Sequence, residues 1–131
     1  MRGGAKYSDA ACNLIASIYN DKGDIQYVDV RNNGAIADLP IDSAVEVACR
    51  VTADGPKPIA TGELKLPISG YVHMMKAFER MVIEAAVQGS RDLAVAALNM
   101  NPLCPSDELA NIVVDELLEA HKDYLPQFFD K

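Results

Sequence analysis

The residues best suited to chemistry lie at the start of the chain, in Arg2-Gly3-Gly4-Ala5-Lys6-Tyr7-Ser8. Two glycines ahead of a helix can turn backbone N–H groups towards an anion, and Arg2 and Lys6 would add positive charge beside them. The same residues also suit a plain glycine-containing approach to a helix. His73 lies on an apolar-periodic stretch and His121 at the end of another, where the negative end of a helix dipole favours it. Neither has a second histidine at metal-binding spacing, and no phosphate-binding glycine loop or nucleophile elbow is present. Cys12, Cys49 and Cys104 are odd in number and far apart. They make neither a metal-type pair nor a disulfide framework. Two of the three are expected on apolar faces, reduced and buried, in keeping with a cytoplasmic setting. The carboxylate pair of an ordinary glycosidase cannot be picked out among the scattered acidic residues.

Composition narrows the possible partners. The chain has 131 residues, half of them hydrophobic, and a formal charge of −7. That length suits one domain, residues 1–131, with enough apolar material for a core. The acidic balance and the lack of a basic run argue against nucleic acid and against anionic membrane surfaces. No apolar run approaches the roughly 20 residues of a membrane-spanning helix.

The elements that must position these residues are legible from periodicity. A helix is expected over 8–21, with Ser8 as N-cap and Ala11, Leu14, Ile15, Ile18 and Tyr19 on one face. A strand follows over 25–31, then an Asn32-Asn33-Gly34 turn. Residues 44–52 alternate Val45, Val47, Cys49 and Val51 with more polar neighbours, which predicts a half-buried strand. Asp54-Gly55 offers a tight turn, and Lys57 to Thr61 a short return strand, driven to a sheet edge by Pro56 and Pro58. Residues 67–99 form the longest helical stretch, with Val72, Met75, Phe78 or Glu79, Val82 and Ala86 near one face and Gly89 ending or bending it. The rest of the chain is expected to pack on this stretch. After Asn101-Pro102-Leu103-Cys104-Pro105, Ser106 caps a last helix that carries Leu109, Ile112, Val113, Leu117, Ala120 and Tyr124 on one side. Strands grouped between helices make the class α+β rather than doubly wound.

In combination, RGGAKYSDAACNLIASIYNDKGDIQYVDVRNNGAIADLP, AVEVACRV, KAFERMVIEAAVQGSRDLAVAAL and DELLEAHKDYLP resemble the C-terminal part of glycoside hydrolase family 4. The 6-phospho-β-glucosidases, with an Arg-Gly-Gly-x-x-Tyr-Ser segment, are the nearest in pattern. The resemblance implies a lactate dehydrogenase-like C-terminal domain, with helices packed against a small, mostly antiparallel sheet. It also implies a parent enzyme that cleaves phosphorylated β-glucosides by oxidation and elimination, using NAD and a divalent metal, typically Mn²⁺. The family's nucleotide loop, metal-binding Cys and His, and base tyrosine match nothing here. No catalytic, cofactor or metal role therefore passes to this chain, and Tyr7 is not the base. The chain is expected to have been cut from something longer, to lack its N-terminal NAD-binding domain and to be inactive alone. Arg2, Gly3, Gly4 and Tyr7 are the expected edge of the substrate pocket. Homo-oligomers are expected of the intact enzyme. The competing reading is a non-catalytic module for oligomerisation or phosphosugar binding.

Overall fold

The computed structural model describes residues 6–130. Four α-helices and a three-stranded sheet run in the order α1 (Tyr7–Tyr19), β1 (Ile25–Arg31), β2 (Ala44–Thr52), β3 (Gly55–Pro58), α2 (Ile68–Gln88), α3 (Arg91–Met100) and α4 (Asp107–Ala120). Two short 3-10 turns, Lys122–Tyr124 and Pro126–Phe128, follow. The class is α+β, as the sequence predicts. The chain divides into two compact units, one ending at Leu64 and the other beginning at Lys65.

In the first unit the sheet is antiparallel in the order β1-β2-β3. The β1–β2 register pairs Ile25 with Arg50 and Arg31 with Ala44. Alternation sets this register, because a slip by one residue would turn Val45, Val47, Cys49 and Val51 out of the core. All four are buried, and Val51 and Cys49 are fully so. Burying each valine is worth about 1.5–3 kcal/mol, which outweighs any gain available from a shifted pairing. Helix α1 packs against β2. Its inward position is Ser17, 1 % exposed, whereas Ile15 and Tyr19 are 66 % and 86 % exposed. The apolar face expected of this helix is therefore turned partly outward, because its contact with the sheet is built on hydrogen bonds. A parallel bridge between Ile36 and Gly62 closes the loop region.

The second unit is helical. The sequence expectation that the whole chain packs on 67–99 gives way here, since the first unit has a core of its own. Helix α2 packs on α3 and the second 3-10 turn, and α3 packs on α4. The inward line of α2 runs through Met74, Phe78, Met81 and Ala85, while Val82, Ile83 and Val87 are exposed. The expected stripe of Val72, Met75, Phe78 or Glu79, Val82 and Ala86 meets the packed line at Phe78, has Val72 and Met75 half-buried, and departs from it at the exposed Val82 and Ala86. The helix is apolar around so much of its circumference that periodicity alone does not choose between the two.

Gly89 stops α2 in the left-handed conformation, φ +63°. Its missing side chain also lets the Gln127 main chain approach, and Gln127 Nε2 donates to the Ala86 carbonyl at 3.1 Å. The new helix then starts on Ser90, whose side chain accepts from Leu93 N–H, and α4 repeats this device with Ser106 and Leu109. Arg91 ties α3 to α4 through a two-pronged pair with Asp115 at 2.6 and 2.8 Å and a bond to Asn111 at 3.0 Å.

Gly89→Ala is expected to lower stability by about 3 kcal/mol, combining left-handed strain with overpacking against Gln127. Gly70 lies inside α2 with open space around it, so Gly70→Ala should stabilise by roughly 0.5–1 kcal/mol. Urea unfolding midpoints of the two variants should therefore move in opposite directions.

The Arg91 hydrogen bond holds the Asp115 carboxyl below the ordinary carboxylate range. A depressed acid stabilises above its unfolded pKa, about 3.9, and loses that contribution as the pH falls through its lower folded value. Thermal midpoints of the wild type and Asp115→Asn should therefore differ at neutral pH and converge in acid. A constant difference across the titration would contradict this account of the pair.

Candidate functional site

Of the four residues assigned to the pocket edge, Arg2, Gly3 and Gly4 lie outside the described residues. Tyr7 is the first residue of α1 and is 76 % exposed. The helix end is not closed as the sequence suggested. Lys6, not Ser8, occupies the N-cap position, no side-chain oxygen caps the first turn, and Ser8 is already helical. Asp9 is the acidic residue in that turn. An uncapped helix start leaves main-chain N–H groups free to meet an anion or water.

A polar cluster that periodicity did not reveal anchors the opposite, C-terminal end of α1. Ser17 Oγ donates to Asp24 Oδ2 at 3.0 Å. Gln26 Nε2 donates to Ser17 Oγ at 2.7 Å and to Asp24 Oδ2 at 3.0 Å. The hydrogen bonds from Gln26 and then Ser17 lower the Asp24 pKa. The cluster links the third turn of α1 to the start of β1, fixing the direction from which α1 meets the sheet. Nearby, Arg50 Nη1 donates to the Gly23 carbonyl at 2.7 Å, and Asp21 accepts from Ala53 N–H at 2.8 Å.

A second polar centre organises the connection between β1 and β2. Asn32 is fully buried. Its Nδ2 faces the carbonyls of Ile36, Leu39 and Pro40 at 3.0, 3.0 and 3.2 Å, and its Oδ1 accepts from Ile36 N–H at 2.8 Å. Its main-chain N–H donates to Ser43 O at 2.8 Å, and Asn33 N–H donates to Ile41 O at 3.0 Å. Asn33 and Gly34 both have positive φ, 47° and 86°. The Asn-Asn-Gly segment is therefore a turn, as its composition predicts. The first asparagine has the larger task of holding an eleven-residue connection, 33–43, by its side chain.

The remaining candidates are dispersed. His73 is exposed, and its Nδ1 donates to the Ser69 carbonyl at 2.8 Å. His121 follows α4 as its C-cap. Cys12 is exposed, Cys104 half-buried and Cys49 buried, and all three are free. The expectation of buried cysteines thus holds fully for Cys49 alone, whose thiol pKa burial pushes up. Among the described residues no three His, Cys, Asp or Glu side chains come together to hold a metal ion. A cavity of about 320 Å³ between α3 and α4 is lined by Leu98, Asn101, Leu103, Cys104, Leu109 and Val113. Its apolar walls carry no charged group that would suit a phosphate. No helix among the described residues is long and apolar enough to cross a membrane.

The sequence profile of the family 4 glycosyl hydrolase C-terminal domain matches residues 1–104. The chain belongs to this family. It is 62 % identical over 130 residues to a probable 6-phospho-beta-glucosidase of Bacillus subtilis (strain 168), covering 99 % of this chain and 29 % of that protein. It is 41 % identical over 132 residues to a 6-phospho-beta-glucosidase of Escherichia coli (strain K12), again covering 99 % of this chain and 29 % of the relative. Among solved structures, the 6-phospho-beta glucosidase of Thermotoga maritima with manganese, NAD⁺ and glucose-6-phosphate superposes with a TM-score of 0.85. That match has 37 % identity and covers 93 % of this chain and 30 % of the other. The chain therefore spans somewhat under a third of the length of these relatives.

Asn32→Ala should cost about 3 kcal/mol, because it leaves the Ile36 N–H and several buried carbonyls without a partner. Asn32→Asp should cost more, since it sets a carboxylate against those same carbonyls. Thermal unfolding of the two variants beside the wild type tests both. Equal stability of all three would contradict the clamp.

Proposed function

We propose that this chain forms the C-terminal domain of a 6-phospho-β-glucosidase, joined in the working enzyme to an NAD-binding domain that these residues do not include. The observation that carries the reading is 62 % identity, over 99 % of this chain, to a probable 6-phospho-beta-glucosidase. The substrate class is a phosphorylated β-glucoside, with glucose 6-phosphate as its recognisable half. NAD and a divalent metal supply the redox and Lewis-acid chemistry when bound. The dispersed His and Cys residues described above do not form a site for the metal, so no step is assigned to them. The contribution of this chain is a wall. In this proposal Arg2, Gly3, Gly4 and Tyr7 form the pocket edge at the uncapped start of α1, while the Ser17–Asp24–Gln26 cluster anchors the far end of that helix to the start of β1. Backbone N–H groups and a guanidinium at the pocket edge suit a sugar phosphate. A cytoplasmic setting belongs to the same reading and is supported by three free thiols.

A second reading, self-association, is favoured by one observation. Helix α2 and its approach leave Leu66, Ile68, Tyr71, Ile83 and Val87 all more than half exposed. Exposed apolar surface on this scale marks an interaction face. The two readings are compatible, since a wall domain can also join copies of an enzyme.

A chimera in which this chain replaces the matched segment of the Bacillus subtilis relative should hydrolyse an aryl 6-phospho-β-glucoside in the presence of NAD⁺ and Mn²⁺. The isolated chain should not. In the chimera, Arg2→Ala should raise KM by about tenfold, the usual worth of one charge-assisted phosphate contact. A folded but inactive chimera, or turnover by the isolated chain, would overturn the proposal.

A further inference from the structure

The two edges of the sheet are built differently. The bonds Asn32 N–H to Ser43 O and Val51 N–H to Asp24 O fix which β1 residues aim their main chain at β2. These are the even-numbered ones, so Ile25, Tyr27, Asp29 and Arg31 aim theirs at the outer edge. Among the described residues, those outward N–H and C=O groups have no hydrogen-bond partner. On the far side, Ile59 N–H donates to Ala48 O, so residues 55, 57 and 59 face β2. The outward positions of β3 are Pro56 and Pro58, neither of which has an N–H to offer. That edge is shut against strand addition, the usual protection of an exposed sheet, while β1 is left open among the described residues.

Charge indicates what the open edge accepts. Asp29 stands directly opposite Glu46 in the β1–β2 register, and both side chains are exposed. Like charges facing each other across a strand pair destabilise it. Two residues along, on the same face of β1, is Arg31. A two-fold axis perpendicular to the sheet through Val30 sets Asp29 opposite Arg31 of a second copy, and Arg31 opposite its Asp29. An axis through Asp29 would instead face that carboxylate with itself. An axis through Val28 would face it with Tyr27 and leave the acidic pair uncompensated. With the axis at Val30, the outward N–H and C=O groups of Asp29 and Arg31 also close as hydrogen-bonded residue pairs. Pairing ends at Asn33, whose N–H is already committed to Ile41 O.

We propose that β1 is an association edge on which two copies of this chain join antiparallel through Val30, making one six-stranded sheet whose ends are closed by Pro56 and Pro58. The test is sedimentation equilibrium of the 131-residue chain at low ionic strength, together with amide exchange at Asp29 and Arg31. The expected result is a reversible dimer in which those two amides are protected, with protection lost on dilution. Asp29→Arg should weaken the dimer by about tenfold, because two favourable cross-strand pairs become two repulsive ones. The exchanged variant carrying both Asp29→Arg and Arg31→Asp should restore it to within about threefold. Circular dichroism confirms that each variant is folded. A monomer at every concentration would overturn the proposal. So would a dimer indifferent to both substitutions, or protection of the two amides that persists on dilution.

Discussion

The first unit depends on one buried side chain. Asn32 sits where β1 ends, and a chain leaving a strand there must satisfy its own polar backbone away from water. By meeting three carbonyls and one N–H, the Asn32 amide replaces the hydrogen bonds that a regular element would have supplied. The consequence reaches the sheet. With residues 33–43 held in place, β2 returns in the register that turns Val45, Val47, Cys49 and Val51 inward. The same register opposes Asp29 with Glu46 and leaves the main chain of alternate β1 residues aimed outward. Core formation and the character of the open edge therefore have one geometric origin.

The helical unit is held by different means. Apolar contact between α2 and α3 sets the pair, but the turn between them depends on glycine, because Gly89 both ends α2 and admits the Gln127 main chain. Arg91 and Asp115 then fix how α4 meets α3. This pair is partly solvated, so it selects an arrangement more than it adds stability.

Much of this was legible in the sequence, for identifiable reasons. The strands 25–31 and 44–52 are observed as expected, because two-residue alternation is a strong signal when one face is buried. Ser106 caps α4 as the sequence reading expects, whereas Ser90, which caps α3, was not read from the sequence because Gly89 could equally end or bend the helix. Helix faces were harder to read. In α1 the inward position is a serine, and in α2 apolar residues cover more than one face, so hydrophobicity could not choose. The Asn32 clamp was recognisable as a turn but not as a buried hub, since its partners lie four to eight residues ahead. For function, the Arg-Gly-Gly and Asn-Asn-Gly-Ala-Ile segments carried the family, and the family profile over residues 1–104 agrees. Neither segment discloses catalytic chemistry of its own, and the structure gathers none among the described residues.

The account stands or falls on whether residues 33–43 behave as part of the core instead of as a loop. Native-state hydrogen exchange reads this directly at the amides of Asn32, Asn33, Ala35 and Ile36, each donating to an acceptor in this region. They should exchange only as fast as β2 itself opens, in one cooperative unit with Val47 and Cys49. Exchange at those four amides at the rate of an unstructured surface loop, while β2 stays protected, would contradict it.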